Sequence, residues 1–189
     1  KSLDSGIDPG DIIDQYGTDA LRMSVVVGIA PGNDGNFSLD KVKAYKHFAN
    51  KLWNIARFVL MSIPENYSEI LEAKITEEDE KIFSEMRTFT KKITEHMNKY
   101  RLYLAAEEIY YYIWHTFADK IIEESKARLT SEDEMIKKSA QRMLLEVLTT
   151  SLKLLHPFMP FITEEIYSKL PKDYLSGGKK MLIVETWPV

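Results

Sequence analysis

An uninterrupted amphipathic stretch at residues 38–61, SLDKVKAYKHFANKLWNIARFVLM, constrains the fold of this chain more than any other feature. It contains no glycine or proline and therefore predicts one long helix. Advancing about 100° per residue gathers a set of apolar side chains on one face, wide enough to bury against other helices. The predicted buried stripe consists of Ala49, Leu52, Trp53, Ala56, Val59 and Leu60.

The opposite face of this helix has an unusual composition. Phe58 is expected there, away from the core, beside the amides of Asn50 and Asn54. No acidic residue occurs from 41 to 64, and the cations of that segment are Lys41, Lys43, Lys46, Lys51 and Arg57. Cations, amides and an exposed ring together favour a surface that binds phosphates and on which a nucleic-acid base can stack. The alternative is a solvated lysine-rich face on which Phe58 packs against a neighbouring helix.

The rest of the chain predicts further helices joined by short turns. Asp8 and Pro9 are typical of the start of a short helix that ends near Gly17. Thr76 is expected to cap a later helix, and Ser131 matches the first residue of a capping box. The expected helices span residues 9–17, 18–27, 38–61, 76–100, 102–125, 131–156 and 163–170, with an extended tail or strand at 180–189.

These elements predict an all-α protein, an antiparallel helix bundle with a short N-terminal segment and an extended C-terminal tail. Six of the 8 glycines lie in residues 1–36, so we place the boundary there and assign the bundle to 37–189. Two short helices bury little by themselves, so the first segment is expected to dock onto something outside this chain. The N-terminal Lys1 suggests a piece of a longer protein.

Composition excludes several kinds of site. The formal net charge is −4, so any nucleic-acid contact must come from a local patch such as 41–64. The chain has no cysteine, which excludes disulfides and thiolate metal sites and fits a reducing, cytoplasmic compartment. No metal site is expected, because none of the 4 histidines has a glutamate three residues before it. The sequence has no phosphate-binding loop and no nucleophile elbow, so we expect no self-contained active site. It also has no export signal and no apolar stretch long enough to span a membrane, so we expect no membrane partner.

Several short strings, in order along the chain, resemble the C-terminal part of class I aminoacyl-tRNA synthetases. Lys1 and Ser2 are similar to the end of the KMSKS loop, although Asp4 and Ser5 stand where the family usually has Gly-Asn. The other strings are DQYGTDALR at 14–22, NDGNFS at 33–38, FANKLWNIARF at 48–58, HPFMPFITEE at 156–165 and ETWP at 185–188. The strings at 33–38 and 48–58 resemble the valyl members most closely.

The resemblance implies a stem-contact segment followed by an α-helical anticodon-binding bundle. It also implies that the parent enzyme joins valine to tRNA with the use of ATP and magnesium. In that enzyme Lys1 would help to hold the ATP phosphates. This chain alone is expected to be inactive. Its partners would be valine tRNA and the remainder of a synthetase chain, and the parent enzyme is expected to be a monomer. The same domain of a leucyl, isoleucyl or methionyl enzyme and a helical protein-interaction scaffold are the alternatives.

Together, the residues and the resemblance assign roles on the long helix. Phe58 is expected to stack an anticodon base, while Asn50, Asn54 and Arg57 donate hydrogen bonds to base edges or phosphates. Lys43, Lys46 and Lys51 are expected to attract phosphates without regard to sequence.

Overall fold

Helices make up the regular structure of this computed structural model, which describes residues 8–28, 30, 32, 37–64, 66–171, 174 and 181–188. No strand occurs within these ranges. None of the helices described combines the length and the hydropathy needed to cross a membrane. The all-α bundle predicted from the sequence is confirmed.

Two short helices open the described chain, α1 (Pro9–Tyr16) and α2 (Thr18–Val26). Asp8 caps α1, since its Oδ1 accepts a 2.7 Å hydrogen bond from the backbone N–H of Gly10. Gly17 separates the helices at φ 91°, a conformation that a residue without Cβ adopts most readily. Both predicted helices are confirmed.

Helix α2 docks onto the bundle of its own chain. Its Met23 is 0% exposed. Its Asp19 and Arg22 bind backbone groups of residues 157–162, where the chain turns into the last helix of the bundle. The four bonds are Phe161 N–H to Asp19 Oδ1 (3.2 Å), Ile162 N–H to Asp19 Oδ2 (2.7 Å), Arg22 Nη2 to Pro157 O (2.9 Å) and Arg22 Nε to Phe158 O (3.2 Å). The expectation that this segment needs a surface outside the chain is wrong for α2, because a turn distant in sequence supplies its partners.

The long helix predicted at 38–61 is α3 (Leu39–Ser62), and Ser38 caps it by accepting a 3.5 Å hydrogen bond from the N–H of Lys41. A short α4 (Ser68–Leu71) leads to α5 (Glu77–Asn98). Thr76 caps α5 as predicted, in a reciprocal capping box with Asp79.

The next helical rod runs without interruption through α6 (Leu102–Tyr111), a π-helical segment (Tyr112–Ile122) and α7 (Glu123–Leu129). The sequence predicted a single helix here, from 102 to 125. The π-helical hydrogen bonding was not predicted, because apolar spacing does not distinguish it from an α-helix over a few turns.

Helix α8 (Glu134–Leu155) lies at the centre of the bundle, where Leu144, Leu145 and Leu148 are 0% exposed. Its N-cap is Asp133, whose Oδ1 accepts from the N–H of Met135 at 2.9 Å. The predicted capping box from Ser131 is therefore wrong, because the helix begins later than that pattern required.

Helix α9 (Pro160–Tyr167) also differs from the prediction. It begins at Pro160 instead of Thr163, because the N–H groups of its first turn are bound by Asp19 of α2. Thr163 lies buried inside the helix and donates to the carbonyl oxygen of Met159 at 2.7 Å.

The described part of the tail, residues 181–188, is an extended strap with one 3₁₀ turn (Leu182–Val184). Glu164 of α9 accepts a 2.8 Å hydrogen bond from the N–H of Leu182, and the indole N–H of Trp187 donates to Thr94 Oγ1 of α5 at 2.8 Å. The tail thus crosses from α9 to α5 along the bundle surface.

A buried ion pair connects the N-terminal end of α5 with the C-terminal end of α7, and a side chain from the N-terminal part of α8 joins it. The carboxylate of Asp79 in α5 is 0% exposed and accepts two hydrogen bonds from Arg128 of α7, at 2.7 and 2.8 Å. Ser139 of α8 and Thr76 also donate to this carboxylate. Burial alone would raise the pKa of Asp79, but the hydrogen bonds from Arg128, Ser139 and Thr76 hold it below its ordinary value.

Candidate nucleic-acid interface

Helix α3 buries a wider face than the sequence predicted. Leu52, Ala56 and Val59 are buried as expected, whereas Trp53 remains 37% exposed and Ala49 and Leu60 are only half-buried. The residues that are buried are Val42, Tyr45, Phe48, Leu52, Ile55, Ala56 and Val59. The buried face is rotated because the rod α6–α7 covers a second flank of α3, where the ring of Phe48 lies 4.8 Å from that of Tyr110.

The position expected for Phe58 is wrong. Its ring is half-buried and packs against the hydrophobic core instead of standing opposite to it. Phe58 follows the buried Ile55 by three residues, so its side chain lies next to a buried position, at the edge of the covered face. The ring keeps a partly open side, on which any stacking role would depend.

The three lysines predicted to attract phosphates each have a partner within the chain. Lys51 Nζ lies 3.0 Å from Asp119 Oδ1 of the π-helical segment, and Lys46 Nζ donates to the carbonyl oxygen of Gln15 at 2.7 Å. Lys43 Nζ lies 3.5 Å from the carboxylate of Asp40, in an exposed pair. The local sequence did not predict the partners of Lys46 and Lys51, because Gln15 and Asp119 come from other helices.

Asn50, Asn54 and Arg57 form a polar stripe on α3. Their spacing of four and three residues aligns them on one face, and all three are exposed. Within the ranges that the structure describes, their side chains make no hydrogen bond or ion pair. Two amides that can both donate and accept and one guanidinium that donates thus remain available to a ligand.

An apolar groove between α3 and α9 borders this stripe. It encloses a cavity of about 110 Å³, lined by Trp53, Ala56, Arg57, Leu60, Met61, Ile166 and Lys169. Lys169 Nζ lies 5.7 Å from the centre of the Trp53 ring, and Met61 is 79% exposed. The sequence assigned Trp53 to the core, so the groove was missed. Only the placement of α9 beside α3 creates it.

The other flank of α3 carries an electrostatic triad. The carboxylate of Asp119 contacts Lys51 through Oδ1, and its Oδ2 lies 3.3 Å from Nδ1 of His115. The hydrogen bond from Lys51, aided by its charge and by His115, lowers the pKa of Asp119 below its ordinary value. Asp119 therefore stays ionised at neutral pH and offsets the charge of Lys51.

Several predicted residues cannot be placed. Lys1, Ser2, Asp4 and Ser5 lie outside the described residues, as do residues 33–36. Within the described part of the chain, no group of three or more His, Cys, Asp or Glu side chains is arranged to hold a metal ion.

Comparison with known proteins identifies the family. A family model for the anticodon-binding domain of tRNA ligase matches residues 79–189. The chain belongs to this family. The match covers α5 to the tail and leaves α3, with its polar stripe, outside the matched residues.

Curated relatives match the anticodon-binding chain over its whole length. The valine–tRNA ligases of Clostridium acetobutylicum and Clostridium perfringens are 41% and 42% identical to it over 192 residues. That of Bacillus cereus is 41% identical over 190 residues. Each alignment covers 100% of this chain and 21% of the relative, so the chain spans about a fifth of the length of these proteins.

Two solved structures share the fold at low sequence identity. A leucyl-tRNA synthetase of Agrobacterium radiobacter, in a ternary complex with tRNA and LeuAMS, superposes with a TM-score of 0.68 at 18% identity, covering 100% of this chain and 22% of that one. The apo methionyl-tRNA synthetase of Mycobacterium tuberculosis gives 0.66 at 19% identity, covering 86% and 34%. At such identities the likeness establishes the fold alone.

Proposed function

We propose that this chain is the anticodon-binding part of a valine–tRNA ligase, and that its parent enzyme charges valine tRNA at the expense of ATP. The polar stripe of Asn50, Asn54 and Arg57 carries the proposal, because it offers unpaired hydrogen-bonding groups along an exposed helix face. The identity of about two residues in five to valine–tRNA ligases supports the choice of amino acid.

The stripe would read the anticodon loop in two ways. The amides of Asn50 and Asn54 can donate to and accept from the edge of an unstacked base, and Arg57 can bind a phosphate or a base edge. The half-buried ring of Phe58 would stack a base on its open side, with its other side fixed by the core. Lys43, Lys46 and Lys51 would contribute long-range attraction, reduced by the partners already described.

The remaining assignments belong to the same proposal. Residues 1–36 would be the end of the KMSKS loop and the stem-contact segment, and 37–189 the anticodon-binding domain. Lys1 would help to bind the ATP phosphates in the catalytic site of the parent, which also uses magnesium. We further propose a monomeric enzyme, located in the cytoplasm where translation takes place, with this chain inactive by itself.

Binding of tRNA tests the proposal directly. The chain is titrated with valine tRNA, with the same tRNA carrying a changed anticodon, and with leucine, isoleucine and methionine tRNAs, at two salt concentrations. Preference for the valine anticodon supports the proposal. Preference for another tRNA would favour the corresponding enzyme, and indifference to tRNA would favour a protein-interaction scaffold.

Phe58→Leu tests the stacking role without emptying the core. Leucine retains most of the apolar packing but has no aromatic face, so tRNA binding should weaken by about 1–3 kcal/mol while the free energy of unfolding changes less. Fluorescence anisotropy with labelled tRNA and urea unfolding measure the two effects. Unchanged affinity in a folded Phe58→Leu variant would contradict stacking on Phe58.

A further inference from the structure

A second aromatic surface lies beside the α3 stripe, on the rod formed by α6 and the π-helical segment. Tyr111 is 55% exposed, and its ring centre lies 5.6 Å from that of His115, with 34° between the ring planes. The side chain of His115 is 56% exposed. Two rings that are both open to solvent are thus held one turn apart on the same face.

Rings of the hydrophobic core pack behind this aromatic surface and support it. Tyr110 meets Tyr111 edge-on at 5.7 Å, and the ring of Tyr110 packs in turn on Tyr45 and Phe48 of α3. Burial raises the pKa of Tyr45 to about 12, so its hydroxyl stays neutral. An exposed ring supported from behind loses little conformational freedom when a planar ligand stacks on it.

The aromatic pair is continuous with the proposed RNA-binding face. Asp119 contacts His115 on one side and Lys51 on the other, and Lys51 Nζ lies 5.2 Å from the ring centre of Trp114. Lys51 precedes Phe58 by seven residues, which is roughly 10 Å along an α-helix. Lys51 is also the sequence neighbour of Asn50, so the aromatic pair borders the stripe through the contacts of Asp119 with His115 and Lys51.

We propose that Tyr111 and His115 form a second stacking platform, which takes an unpaired base of the same tRNA loop that contacts the α3 stripe. This inference rests on the proposed function. The acid of the triad, Asp119, balances the nearby cation, so the platform contributes stacking and little net charge. Its contribution to affinity should therefore depend weakly on salt, unlike that of a phosphate contact.

Substitution of Tyr111 tests the platform. Tyr111→Ala should weaken binding of valine tRNA about 5- to 150-fold, the range expected for loss of one base–aromatic stack, with the salt dependence unchanged. Tyr111→Phe keeps the ring and should bind like the unsubstituted chain. Tyr100→Asn is the matched control, because Tyr100 is 82% exposed on the α5–α6 turn, outside this surface, and asparagine tolerates its φ of 55°.

A double-mutant cycle locates the base. Single abasic nucleotides are introduced in turn through the anticodon loop, and each RNA is titrated with the unsubstituted chain and with Tyr111→Ala. At the stacked position, the abasic RNA should lose no further affinity on Tyr111→Ala, because the interaction is already absent. Coupling at one loop position supports the platform.

The outcomes separate this inference from the proposed function. If the chain selects the valine anticodon but Tyr111→Ala binds normally, the platform is wrong and the function stands. If Tyr100→Asn weakens binding as much as Tyr111→Ala, the effect is not specific to this surface and the platform is again wrong. If the unsubstituted chain does not bind tRNA, both proposals are overturned.

Discussion

Arg128→Met should destabilise the fold strongly, because it leaves a buried carboxylate without its cation. Asp79 is 0% exposed, and the side chain of Arg128 is only 13% exposed. Loss of one partner of such a pair typically costs about 3–5 kcal/mol. Ser139 and Thr76 would still donate to the carboxylate, so we expect the lower end, about 3 kcal/mol, or more than a hundredfold in the folding equilibrium.

Urea unfolding followed by circular dichroism measures this loss, and Arg87→Met provides the control. Arg87 lies on α5 and pairs with Glu80, the neighbour of Asp79, but the two side chains of that pair are 55% and 60% exposed. The control should therefore cost no more than about 1 kcal/mol. Similar losses in the two variants would refute the reasoning that burial makes the Asp79–Arg128 pair different.

The pH dependence of the same variants gives a second check. In the intact chain the folded-state pKa of Asp79 is below the ordinary 3.8, so its contribution to stability is present above pH 3.8 and is lost as pH falls through the depressed value. Without Arg128, burial should instead raise the pKa of Asp79. The stability difference between the two proteins should then be largest near neutral pH and narrow below about pH 4.

Two other substitutions probe how the bundle holds α9 and how it presents α3. Asp19→Ala removes the acceptor for the N–H groups of Phe161 and Ile162, and should cost about 1–2 kcal/mol in urea unfolding, as loss of an N-cap does. An unchanged unfolding midpoint would show that water replaces Asp19 there. Asp119→Asn should strengthen tRNA binding about two- to fivefold and steepen its salt dependence, because it frees Lys51 from its counter-charge. Equal or weaker binding in an anisotropy titration would contradict that role for Asp119.

The helices could be predicted because their signals are local. The long apolar period of α3, the Asp8–Pro9 start of α1 and the Thr76 cap of α5 all act within a few residues. The caps of α8 and α9 were predicted wrongly, because in each case the carboxylate of another residue binds N–H groups of the first turn. Ser131 gave way to Asp133, and the N-terminus of α9 is bound by Asp19 of α2, far away in sequence.

The candidate site was harder to predict, because exposure depends on which helices surround α3. A helical wheel assumes one covered face, whereas α3 is covered on two flanks. Trp53 was therefore expected in the core and lies partly exposed, while Phe58 was expected outside and packs on the core. Asn50, Asn54 and Arg57 were placed correctly on the exposed side, since they lie opposite both flanks.

The partners of the lysines bear on how this surface would recognise RNA. A face with free cations binds any phosphate backbone, but here Lys46 is bound to a backbone carbonyl of α1 and Lys51 is paired with Asp119. The whole chain also carries a formal net charge of −4. Non-specific attraction should therefore be weak, and amides, one guanidinium and aromatic rings must supply most of the affinity. Because those groups act only at contact and in defined geometry, the same arrangement that limits general RNA binding favours discrimination between anticodon loops.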